Sequence, residues 1–138
     1  MPNDVPPSIT PINPPELGTP PGYSQVVEVS AGRLVFIAGQ TALDSDGSVV
    51  GKNDFAAQAA QVFRNLAIAL QASGCTAANL VKLTVFLTDM GDLGLYREAR
   101  SRFFASVTPP AAPAVTLVEV SKLYGPDFMI EIEAIAAV

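Results

Sequence analysis

Ala114-Val115-Thr116-Leu117-Val118-Glu119-Val120 and, after a short link, Phe128-Met129-Ile130-Glu131-Ile132-Glu133-Ala134-Ile135 decide how this chain is built. Both runs alternate with period two and are rich in β-branched residues, so each reads as a strand. In the second, Ile130, Ile132 and Ala134 fall on one face and Glu131 and Glu133 on the other, because successive strand side chains point to opposite sides. In the first, Val115, Leu117 and Glu119 share a face. If the two runs pair, carboxylates collect on one side of a sheet while the other side packs on helices.

Upstream, Leu80-Val81-Lys82-Leu83-Thr84-Val85-Phe86-Leu87 alternates cleanly and reads as a third strand. Residues 54–73 carry Phe55, Ala59, Val62, Phe63, Leu66, Ala69 and Leu70 at helical spacing, with Gln58, Gln61, Arg64, Asn65 and Gln71 on the opposite face. Asn53 or Asp54 caps this helix and Gly74 stops it. A second helix spans about 93–106, with Leu95, Ala99, Arg102 and Phe103 as its stripe and Pro109-Pro110 beyond its end. Arg97, Arg100 and Arg102 read as solvated helix charges.

Near the amino terminus, residues 23–30 and 34–40 are β-rich runs joined by Ala31-Gly32-Arg33, which predicts a hairpin; the second run is apolar on both faces, as a central strand should be. Asp44-Ser45-Asp46-Gly47-Ser48 superficially resembles a calcium loop but lacks the later ligands, so a surface hairpin is the better reading. Residues 2–22 hold eight of the twelve prolines, which predicts an extended arm or ordered loop over 1–21 leading into one domain over 22–138. The resulting class is α+β: a mixed sheet with two helices on one face. The other face would leave Val115, Leu117 and similar side chains exposed, and self-association would cover them.

Composition narrows the function. The 138 residues are 49% hydrophobic with mean hydropathy +0.36, yet no apolar run approaches the roughly 20 residues of a membrane span. A net charge of −5 without a Lys/Arg cluster argues against nucleic acid, which is held mainly by cationic contacts to phosphate. Histidine is absent, which removes Ser-His and Cys-His nucleophiles and most catalytic metal sites. The single Cys75 excludes an internal disulfide, and Met1-Pro2-Asn3-Asp4-Val5 has no signal-peptide character, so a cytoplasmic location is expected.

Gly22-Tyr23-Ser24-Gln25, residues 34–40, Gln58-Ala59 with Asn65-Leu66, residues 81–89 and Ile130-Glu131-Ile132-Glu133-Ala134-Ile135-Ala136 together resemble the RidA/YjgF family, in that family's order. The resemblance implies a chorismate-mutase-like α+β fold, a homotrimer with ligand clefts between subunits, and enamine/imine deamination to 2-keto acids and ammonia without metal or organic cofactor. It casts Glu131 as the residue that positions water, and Tyr23 and Thr116 as cleft residues. The family's Pro-x-Arg-Ser-x-Val-Glu-Val block, however, stands here as Pro113-Ala114-Val115-Thr116-Leu117-Val118-Glu119-Val120. Val115 thus replaces the arginine that binds the substrate carboxylate, and Leu117 a small residue. Losing that charge-assisted contact removes roughly 1.5–3 kcal/mol.

Two functions therefore stand side by side. One is a RidA-like hydrolase with an altered substrate, or one whose carboxylate meets Arg97. The other is a non-catalytic trimer that binds a neutral small molecule. The endoribonuclease label carried by some relatives fits poorly with an acidic chain that lacks histidine.

Overall fold

The computed structural model describes residues 8–30, 32–108 and 110–138; the expectations for Pro6-Pro7, Ala31 and Pro109 fall outside them. Among the described residues, six strands and two α-helices occur in the order β1 Ile9–Ile12, β2 Val26–Val29, β3 Leu34–Gln40, α1 Phe55–Ala72, β4 Leu80–Leu87, α2 Leu93–Phe104, β5 Ala114–Glu119 and β6 Ile130–Ala137. The main sheet is mixed, in the order β3-β6-β4-β5, with β5 parallel to β4 and the other pairs antiparallel. The two helices pack on each other, and α1 lies on β3 and β6, so the α+β class with a helix layer holds.

The pairing differs from the expectation at both ends of the chain. The two runs that define the fold do not pair, because β4 inserts between them. Nor do β2 and β3 form a hairpin: β2 pairs with β1, drawn from the proline-rich stretch, in a separate two-stranded sheet. Proline is tolerated there because Pro11 sits in a strand paired on one side only. β3 is an edge strand, not a central one. Its second apolar face is simply uncovered, leaving Phe36 72% exposed. Central places go to β4 and β6, where Leu83, Val85, Leu87, Ile130 and Ile132 are fully buried, each worth about 1.5–3 kcal/mol.

Helix α1 begins where Asp54 accepts a hydrogen bond from Ala57 N and ends at Gly74, whose φ of 74° only glycine adopts freely. Its apolar stripe is buried as expected, but Gln58 is buried with it, against the expected solvent-facing place. Helix α2 turns Tyr96 and Phe104 inward, while Leu95 is 41% exposed and Arg102 reaches Glu98 on the surface; the stripe expected from Leu95 and Arg102 is rotated. Phe63 and Phe103 lock the two helices together through rings 4.9 Å apart.

The sheet's two faces are also assigned differently. Val115 and Leu117 pair in register with fully buried Leu83 and Val85 and pack half-buried against the core, rather than lying on the open face. The open face instead carries Phe36, Lys82, Thr84, Phe86, Thr116 and Val118, together with Glu131 and Glu133. The acidic turn behaves as a surface hairpin: Asp44 Oδ1 accepts from Asp46 N and Ser48 N, and Leu43 bridges Val49.

Candidate functional site

Glu131 sits mid-sheet on the open face, opposite Phe86 of β4. On its other side β3 bulges between Ile37 and Gln40. The bulge brings Gly39 under the carboxylate so closely that a Cβ there would lie 2.0 Å from Glu131 Oε2. A side chain at residue 39 would therefore have to push the carboxylate aside, and glycine is what permits the close approach. Burial pushes the Glu131 carboxyl above its ordinary range, and the neighbouring Glu133 adds to the shift. Neither Lys82 nor Lys122 pairs with it. Lys82 instead donates to Thr116 Oγ1 at 2.6 Å. Glu119 is no neighbour: its carboxylate accepts from Met90 N at the far end of β5.

Thr116 thus shares the open face with Glu131, two strands away, and a concavity of about 390 Å³ lined by Phe36, Ala38, Lys82, Thr84, Glu133 and Ile135 lies on the same face. Val115 and Leu117 point the other way, into the helix layer at the edge of the sheet. Tyr23 is half-buried at the start of that edge, held there by its neighbour Ser24, whose N–H donates to Pro113 O at 3.1 Å and whose hydroxyl bonds Ala112 O. Arg97 is exposed on α2. Within one chain the expected residues therefore form two groups on opposite sides of the sheet.

Three features went unforeseen in the sequence. Arg100, one helical turn beyond Arg97, lies over the Tyr96 ring at 5.6 Å and reaches the 21–22 segment, where a Cβ at Gly22 would meet its Nη2 at 2.6 Å. Tyr96 itself is 1% exposed with an unpartnered hydroxyl, and burial pushes its pKa up, against ionisation and against the smaller opposing pull of Arg100. Thr41, buried beside the bulge, hydrogen-bonds the hydroxyl of Tyr124 at 2.6 Å. A run of apolar periodicity gives no sign of such pairs, since each joins residues far apart in the chain or on the unexpected face of a helix.

Among the described residues there is no group of acidic or thiol side chains that would hold a metal ion, and no helix is long and apolar enough to cross a membrane. Residues 16–138 match the family model described as endoribonuclease L-PSP. Protein DfrA of Myxococcus xanthus is 40% identical over 83% of this chain and 83% of its own length. A rat 2-iminobutanoate/2-iminopropanoate deaminase is 35% identical over 83% of this chain and 78% of its own. The crystal structure of YyfB from Yersinia pestis, of the conserved Rid protein family, superposes with a TM-score of 0.82 at 31% identity, covering 94% of this chain and 98% of that one.

Proposed function

This chain belongs to the RidA/YjgF family, and from that premise we propose that it is a deaminase-like hydrolase of enamines or imines whose clefts are completed by neighbouring copies in a homotrimer. The observation that carries the reading is Glu131: a half-buried carboxylate with its proton affinity raised, laid on the Gly39 backbone and free of any lysine partner. A base with that character works nearer neutral pH than an ordinary glutamate. In the proposed reaction Glu131 takes a proton from water as the oxygen attacks the imine carbon, and the C=N electron pair moves to nitrogen. Glu131 hands that proton to the nitrogen, giving the neutral carbinolamine, and then carries the hydroxyl proton to the same nitrogen as the C–N bond breaks, so that ammonia leaves and a ketone or aldehyde remains. Rodent relatives named as 2-iminobutanoate/2-iminopropanoate deaminases support the reaction class.

Val115 and Leu117 lie across the sheet from Glu131, so a cleft that uses both groups has to join two copies. Exposed Phe36 and Val118 supply apolar surface on the uncovered face for that association. The cleft edge at residue 115 offers an isopropyl group where the family has a guanidinium, so a carboxylate placed there would lose its hydration without a partner. We therefore assign a substrate without that carboxylate. The same substitution favours a second reading, a trimer that binds a neutral ligand without turning it over.

Ammonia release from 2-aminoacrylate and 2-iminopropionate, generated in situ, separates the possibilities when the wild type is compared with Val115→Arg and Glu131→Gln. Because β5 is an edge strand, a long arginine at residue 115 can run along the sheet margin and place its head in solvent. The expected result is a wild type close to the spontaneous rate, a Val115→Arg variant roughly tenfold or more above it, as one lost charge-assisted contact implies, and loss of that gain when Glu131→Gln is added. A wild type that already releases ammonia rapidly refutes the role assigned to Val115. If Val115→Arg binds the anion but never hydrolyses it, the non-catalytic reading stands.

A further inference from the structure

Tyrosine usually buries its ring and shows its hydroxyl to water; Tyr124 does the reverse. Its hydroxyl is held by Thr41, which is only 5% exposed, while the residue as a whole is 70% exposed. The ring is fixed from behind by Phe128 at 4.7 Å, and Phe128 is itself 7% exposed and seated so tightly on Gly125 that a Cβ there would lie 2.8 Å from its ring. The exposed ring is thus pinned at its hydroxyl and along one face.

Its anchor ties it to the segment that passes under Glu131. Gly39 lies under the Glu131 carboxylate, and Thr41 is two residues further along the same segment, a span of at most about 7 Å. Tyr124 and Glu131 also flank the turn that leads into β6, with Phe128 three residues before the carboxylate. We propose that Tyr124 is a specificity residue of the Glu131 site, its outward ring forming a wall for a neutral ligand that carries a planar aryl or conjugated substituent next to the carbon attacked. This rests on the hydrolase reading above and adds the substrate class. Offset or edge-to-face contact with such a substituent replaces the electrostatic recognition lost at residue 115.

The test uses benzamide and acetamide, stable neutral isosteres of an aryl and an alkyl imine, titrated into the full-length protein by NMR. The expected result is that benzamide binds about threefold to tenfold more tightly than acetamide, as one aromatic pair implies, and shifts the amides of Gly39 and Thr41. In Tyr124→Ala the preference collapses to about onefold, and Tyr124→Phe keeps most of it. A preference unchanged in Tyr124→Ala overturns the proposal, as does a Tyr124→Ala protein that sediments as a smaller species with the preference intact, which makes the ring a subunit contact. Failure of the two readings is distinguishable. Imine turnover without any aryl preference removes the role of Tyr124 and leaves the hydrolase; aryl preference that depends on Tyr124 without turnover upholds the ring's role and removes the hydrolase.

Discussion

Replacing Gln58 with methionine keeps the length of a fully buried side chain but removes its amide, and the structure says what that disconnects. The Gln58 amide nitrogen donates to Gly51 O at 3.1 Å and to Asp127 O at 2.7 Å, and its oxygen accepts from Met129 N at 2.9 Å. Helix α1 is thereby stitched both to the turn before it and to the segment that delivers Phe128 and β6. Three hydrogen bonds at about 1 kcal/mol each give about 3 kcal/mol, and the burial of the groups left unpaired moves the cost upward rather than down. For a chain of this size that is a drop of roughly 10 °C in Tm. Urea unfolding of Gln58→Met against wild type measures the loss directly, and amide hydrogen exchange locates it, with Met129 losing protection in excess of β4. A loss under about 1 kcal/mol, with Met129 as protected as before, refutes the reasoning.

Two further outcomes follow from the close approach at the bulge. Gly39→Ala puts a methyl 2.0 Å from Glu131 Oε2, so the carboxylate has to swing off the strand; amide binding monitored at residue 41 is expected to weaken at least tenfold while the fold survives, and unchanged binding defeats the placement of the site. Glu131→Gln tests the raised proton affinity. A carboxyl that holds its proton more tightly when folded contributes stability that is present below its unfolded pKa and lost as pH rises through its folded pKa. The difference in unfolding free energy, wild type minus Glu131→Gln, is therefore expected to fall as pH rises from the ordinary carboxylate range toward neutral, and a flat difference contradicts it.

Much of the architecture was written in local pattern. The period-two alternation of residues 80–87 and 130–135, the stripe of α1 and its two caps each depend on neighbours in the chain, and each was legible. Partner choice was not, because nothing within residues 114–120 records that a parallel neighbour, β4, satisfies them rather than β6. The assignment of faces failed for a related reason. Alternation places Val115 and Leu117 on one side together but does not say which side the helices cover. Gln58 departs from the pattern because polarity does not mean exposure: its buried amide serves three backbone groups. At the site, Glu131 stands out in the sequence, but its contact with Gly39 depends on a bulge that shifts the register by a residue.

If the cleft is completed between subunits, as proposed above, the sheet that divides Val115 from Glu131 also governs how the protein answers to its own concentration. A chain whose cleft residues face away from each other holds two half-sites and no whole one. Whatever the ligand, occupancy then follows mass action twice, once for the ligand and once for the assembly of subunits. On that reading, dilution below the dissociation constant of the subunits empties the clefts without unfolding a single chain. A mixture of chains broken in different halves, by contrast, regains some intact clefts wherever two sound halves happen to meet.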